Sequence, residues 1–86
     1  MPKVTLYATA VCPYCVRAEQ LLQRKGVVDI EKIRVDLDPA QREEMLARSG
    51  GQRSVPQIFI GDAHIGGCDD LYELEHEGRL DALLAG

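Results

Sequence analysis

Two cysteines three positions apart, Cys12 and Cys15, stand where an apolar run gives way to a helical pattern. That placement constrains the fold more than any other feature. Val4-Thr5-Leu6-Tyr7 has the β-branched and aromatic content of a strand. From Pro13 onward the apolar spacing turns to three and four residues. The first thiol therefore falls at a helix N-terminus, with Cys12 as N-cap and Pro13 as the first helical residue, where its missing N–H costs nothing. A sulfur there faces unpaired backbone N–H groups and the positive end of the helix dipole, both of which favour thiolate over thiol. The spacing reads as a thiol–disulfide redox site, Cys12 the nucleophile and Cys15 the resolving thiol one turn inside. Metal binding is the rival reading. A structural zinc site needs four ligands, and Cys68, His64 and His76 complete no recognisable spacing with the pair. No metal is expected.

The rest of the chain alternates strands and helices. Tyr14, Ala18, Leu21, Leu22 and Lys25 form the inner stripe of the first helix, and Gly26 terminates it. Residues 29–36 alternate as a second strand with Ile30, Ile33 and Val35 inward. Asp38-Pro39-Ala40-Gln41 announces a second helix, short and partly exposed, carrying Met45 and Leu46 and ending at Ser49-Gly50-Gly51. A third strand spans 55–60, its proline near the start, and Gly61-Asp62 turns it into Ala63-His64-Ile65. After Gly66-Gly67 a third helix opens at Cys68-Asp69-Asp70-Leu71, with Leu71, Leu74 and Tyr72 inward and Glu73, Glu75 and Glu77 outward; Gly78 breaks it. Leu80, Leu83 and Leu84 make a last short helix. The order β-α-β-α-β-β-α-α predicts an α/β fold: a four-stranded mixed sheet flanked by helices, in one domain over 1–86. Ligands of such sheets gather at the carboxyl ends of strands, and Cys12 lies just beyond one.

Charge narrows the partners. A net charge of −4, with dispersed Lys and Arg, excludes the basic face that nucleic acid requires. No apolar run approaches a membrane span, and the first residues lack a signal-peptide core. Three cysteines are too few for a secreted disulfide scaffold. A close thiol pair without a signal fits a reducing compartment, so a cytoplasmic location is expected.

Four stretches together resemble the thioredoxin-fold superfamily and, within it, the dithiol glutaredoxins of the small bacterial type. They are Cys12-Pro13-Tyr14-Cys15, Gln52-Arg53-Ser54-Val55-Pro56, Gly66-Gly67 and Cys68-Asp69-Asp70-Leu71. A lone C-x-x-C is weak; these motifs in this order are specific. The resemblance implies a glutathione-dependent oxidoreductase that reduces protein–glutathione mixed disulfides and protein disulfides, acting as a monomer. Its partners would be glutathione, as co-substrate, and glutathionylated or disulfide-containing proteins, ribonucleotide reductase among the candidates.

The resemblance also assigns roles. Cys12 and Cys15 form the redox-active disulfide. Pro56 is cis, an isomer affordable at X–Pro, and presents the Val55 backbone beside the Cys12 sulfur. The Gly67-Cys68-Asp69 turn supplies N–H groups to the γ-glutamyl carboxylate of glutathione, and the Asp69 side chain accepts its ammonium group. Tyr14 either stacks over the bound tripeptide or covers the helix end, and its exposed position next to the nucleophile favours the contact role. One departure stands out: many glutaredoxins carry a Lys three residues before the nucleophile, and here that place is Thr9. Arg53 and Arg17 are the candidates to supply the missing charge. Cys68 reads more simply as a small buried residue at a helix start than as a third redox thiol, and His64 and His76 read as surface residues.

Two rivals remain within the fold. One is a glutathione-ligated iron–sulfur cluster shared by two protomers; proline after the nucleophile argues against it. The other is a thioredoxin-like electron donor served by a flavoprotein reductase. The chain has no Trp to precede the motif and carries Tyr after Pro13.

Overall fold

The computed structural model describes residues 2–86. Its elements are β1 (Val4–Ala8), α1 (Pro13–Arg24), β2 (Ile30–Arg34), α2 (Pro39–Arg48), β3 (Gln57–Ile60), β4 (Ala63–Gly66), α3 (Cys68–His76) and α4 (Leu80–Ala85). The predicted order holds, and the shifts are at the ends. The third strand begins at Gln57, because Pro56 has no N–H to give a ladder. Among the described residues no helix is long and apolar enough to cross a membrane.

The strands run β2-β1-β3-β4 across one sheet. β1 and β2 are parallel, joined over the sheet by α1, and β3 is antiparallel to both its neighbours. β1 is thus an interior strand with all five residues buried. β2 lies at an edge, which explains why only Val35 of its three expected inward residues is fully buried while Ile30 and Ile33 stay half-buried.

Alternation along the strands sends side chains to two different environments. Val4, Leu6, Ile58 and Ile60 meet Ala18, Leu21 and Leu22 of α1, Leu71 of α3, and Leu80 and Leu84 of α4. Each leucine buried there contributes about 1.5–3 kcal/mol. Tyr7 and Phe59 face the other way, toward Met45 of α2. That side is thin and polar-laced: Arg48 donates to the Tyr7 hydroxyl at 2.9 Å and lies 4.2 Å above the Phe59 ring centre.

The helix boundaries are chemically explicit. Asp38 caps α2 through the Ala40 N–H at 3.0 Å. At the end of α1, Gly26 takes φ +90°, its N–H reaching the Gln23 carbonyl and that of Val27 the Leu22 carbonyl. This is the Schellman closure, and α2 and α3 end on Gly50 and Gly78 in related fashion. Two members of the expected α1 stripe are not buried. Tyr14 stands exposed at the helix start, and Lys25 caps its end while pairing with Glu75 and Asp81 at 2.8 Å each. Glu75 is therefore half-buried in an ion pair and not a purely solvated member of the α3 acidic row.

Candidate redox site

β1 ends at Ala8, and four residues later Cys12 takes an extended backbone, φ −145° and ψ 94°, as the N-cap of α1. Its Sγ accepts the Cys15 N–H at 3.2 Å, and its carbonyl accepts the Val16 N–H at 3.2 Å. No acidic residue occupies the first turn of α1, so nothing there opposes the positive end of the dipole. Cys12 and Cys15 are joined as a disulfide, with Cα atoms 5.2 Å apart. Cys12 is half-buried and Cys15 only 2% exposed, which separates a sulfur open to attack from one behind it.

The approach to Cys12 is moored from outside. The Ala10 N–H donates to Asp36 Oδ2 at 3.3 Å. Arg34 grips both oxygens of the same carboxylate at 2.7 Å each, and chiefly these hydrogen bonds hold the Asp36 carboxyl down at about 2.

Facing the disulfide is the peptide between Val55 and Pro56, which is cis. The Val55 carbonyl oxygen lies 3.8 Å from Cys12 Sγ. Next to it α3 begins. Gly66 has φ +112°, and a Cβ there would run into the Asp70 side chain. Gly67 caps the helix, and its N–H donates to Asp70 Oδ2 at 2.9 Å. A cleft of about 240 Å³ opens between these walls, lined by Tyr14, Gln52, Ser54, Val55 and Pro56 on one side and by Gly67, Cys68, Asp69 and Asp70 on the other.

A glutaredoxin family model matches residues 4–65. The chain belongs to the glutaredoxin family. It is 60% identical over 85 residues to a glutaredoxin of Pseudomonas aeruginosa, a match covering 99% of each chain. The solution structure of the glutaredoxin from Brucella melitensis is similar at a TM-score of 0.83 and 52% identity, over 98% of this chain and 89% of that one. A buckwheat glutaredoxin–glutathione complex is similar at a TM-score of 0.86 and 32% identity, over 98% and 77%. The chain is accordingly a thiol–disulfide oxidoreductase of thioredoxin-like fold, with Cys12–Cys15 as its redox-active disulfide.

In this glutaredoxin six of the residues singled out in the sequence line one cleft: Tyr14, Val55, Pro56, Gly67, Cys68 and Asp69. Arg53 does not. It is exposed and outside the lining, between two residues that belong to it. Arg17 is outside the lining as well, its guanidinium 5.9 Å from the Tyr14 ring centre and 5.4 Å from that of Tyr72. Burial pushes the Cys68 thiol up from its ordinary value, with the Arg17 charge pulling the other way. A buried thiol of raised pKa is a poor nucleophile, in keeping with a packing role. Sequence reasoning missed Gln52, Ser54 and Asp70 as lining residues. Asp70 had a signal, since an acid three residues after a cap position is half of a capping box.

Proposed function

We propose that this chain reduces protein–glutathione mixed disulfides, and protein disulfides, at the expense of glutathione. The observation that carries the reading is the juxtaposition at Cys12. Its sulfur sits at a helix N-terminus free of acids, 3.8 Å from the Val55 carbonyl, beside a cleft that ends in a second helix N-terminus. The buckwheat complex adds support, since a close structural relative is a glutathione complex.

In the reduced protein the Cys12 thiolate attacks the glutathione sulfur of a protein–glutathione mixed disulfide. The S–S bond breaks, the protein thiolate leaves and takes up a proton, and Cys12 is left bonded to glutathione. A second glutathione thiolate attacks that sulfur, giving glutathione disulfide and restoring the Cys12 thiolate. With a protein disulfide the first attack leaves Cys12 bonded to the partner. Cys15, poised behind it, displaces the partner and forms the Cys12–Cys15 bond, which two glutathiones then reduce. In the cleft, the Cys68 and Asp69 N–H groups at the start of α3 meet the γ-glutamyl carboxylate. The Asp69 carboxylate takes the ammonium group. Gly67 contributes space and not a donor, its N–H being held by Asp70.

Cys15→Ser is the test. Exposed to glutathione disulfide and analysed by mass spectrometry, it should carry one glutathione, on Cys12. It should still deglutathionylate protein substrates with glutathione alone and fail to reduce protein disulfides by the dithiol route. Absence of the adduct would refute glutathione as the substrate.

A further inference from the structure

Gln57 opens β3 directly after Pro56 and is fully buried, yet no step of the exchange chemistry uses it. Polar groups enclose its amide on both sides. Nε2 donates to the Ser54 carbonyl at 2.9 Å and lies 3.3 Å from Ser54 Oγ and 3.4 Å from Gln52 Oε1. Oε1 sits 2.7 Å from His64 Nε2. The roles follow from chemistry. A backbone carbonyl only accepts, so the amide nitrogen must face Ser54. Oε1 then faces His64, whose Nε2 must carry the hydrogen. The neutral Nε2–H tautomer and the imidazolium both donate there, so the contact does not depend on the ring's charge. The ring itself is fixed: β4 sets His64 opposite Phe59, and the two rings stack with centres 4.9 Å apart.

The Ser54 carbonyl and the Val55 N–H belong to one planar peptide unit. Gripping the carbonyl sets the plane, and with it the direction of the N–H on the opposite side. We propose that Gln57, locked by His64, is a positioning residue that aims the Val55 peptide at the backbone of an incoming disulfide substrate. Burial gives the lock its force, since an amide left unpaired in that place cannot turn to water for the hydrogen bonds it loses. The inference rests on the proposed exchange at Cys12, and adds to it that the substrate cysteine pairs with the Val55 backbone beside that sulfur.

The experiment compares pre-reduced wild type with Gln57→Leu, and with His64→Phe, which keeps a ring over Phe59 at an exposed position but removes the Nε2 donor. Single-turnover exchange is measured with a peptide–peptide disulfide and with a glutathionylated peptide. Alkylation of Cys12 by iodoacetamide, a reagent too small to pair with Val55, is followed across pH. Gln57→Leu should slow exchange with the peptide disulfide about tenfold and His64→Phe about threefold, while the alkylation midpoint stays put. Wild-type exchange rates in both variants would overturn the proposal. So would a shift of the alkylation midpoint in step with the exchange rate, because Gln57 would then act on the thiolate. If Gln57→Leu does not fold, His64→Phe decides. A wild type that exchanges with the peptide disulfide but not with the glutathionylated peptide would sink the glutathione reading, while the variant ratios still judge Gln57.

Discussion

Two helix starts converge on this site, and they are built in opposite ways. The first turn of α1 holds no acid, and its cap is the Cys12 sulfur itself, accepting the Cys15 N–H. The first turn of α3 holds Asp69 and Asp70, and the second of these already occupies the Gly67 N–H. The field of α1 is therefore available to a charge that appears only when Cys12 ionises. The field of α3 is largely neutralised by its own carboxylates, which leaves directed N–H groups and one negative side chain. An undressed terminus suits a thiolate. A dressed one suits a zwitterion, which brings a carboxylate and an ammonium group together.

The largest effect should come from exchanging the cap of α1. Cys12→Ser removes all exchange activity in every assay, yet the hydroxyl is a good N-cap. Its thermal midpoint should match or exceed that of the Cys15→Ser protein, so activity and stability part company at this helix start. At α3 the opposite is expected. Gly66→Ala forces a side chain into φ +112° and against Asp70, and chemical denaturation should show a loss of about 1–3 kcal/mol. Asp70→Ala removes the cap bond to Gly67 without straining the backbone and should cost about 1 kcal/mol by the same measurement. By freeing the Gly67 N–H and deleting an acid, it should leave the KM for glutathione unchanged or lower; a clear rise would break the contrast between the two termini.

A smaller change dresses the undressed helix. Val16 is 49% exposed in the first turn of α1. Val16→Glu places a carboxylate near Cys12, and by opposing the dipole it should move formation of the thiolate to higher pH. The pH dependence of thiolate absorbance in the reduced protein reads this directly. The smallest effect belongs to the outer mooring. Asp36 is held at about 2 against an ordinary 3.8, so its carboxylate stabilises the folded form above the ordinary value. That contribution is lost as the pH falls through the interval between the two. Asp36→Asn should lack this acid-side decline, and its stability–pH curve should be flatter there than that of the wild type.

Much of this arrangement was legible in the chain. Pro13 after Cys12 and the apolar spacing behind it set the start of α1, and Gly66-Gly67 before two acids marked that of α3. What stayed hidden depends on residues that meet only across the sheet. Nothing local places Arg53 outside the cleft while Gln52 and Ser54 line it, nor tells that Arg17 lies between Tyr14 and Tyr72. His64 read as a surface residue, and it is exposed, but the register of β4 against β3 lays its ring on Phe59 and its Nε2 on Gln57. Gln57 did leave a trace, as the one amide in an otherwise apolar strand. Tyr14 and Lys25 kept helical spacing with the core yet fell at the two ends of α1, where a side chain passes beyond its neighbours.

The place of β1 in the sheet also has a consequence for stiffness. Cys12 follows a strand hydrogen-bonded on both sides, whereas the wall opposite, from Ser49 to Pro56, is tied down mostly by side chains: the Ser49 hydroxyl to both backbone groups of Gln52, and the Gln57 amide to Ser54. Amide hydrogen exchange should therefore be slowest in β1 and markedly faster along 49–54, since local opening is cheapest where few backbone bonds must break. The Cys12 sulfur and the gripped Val55 peptide would then hold their places while the loop behind them gives, allowing one sulfur to serve partner disulfides of unequal shape.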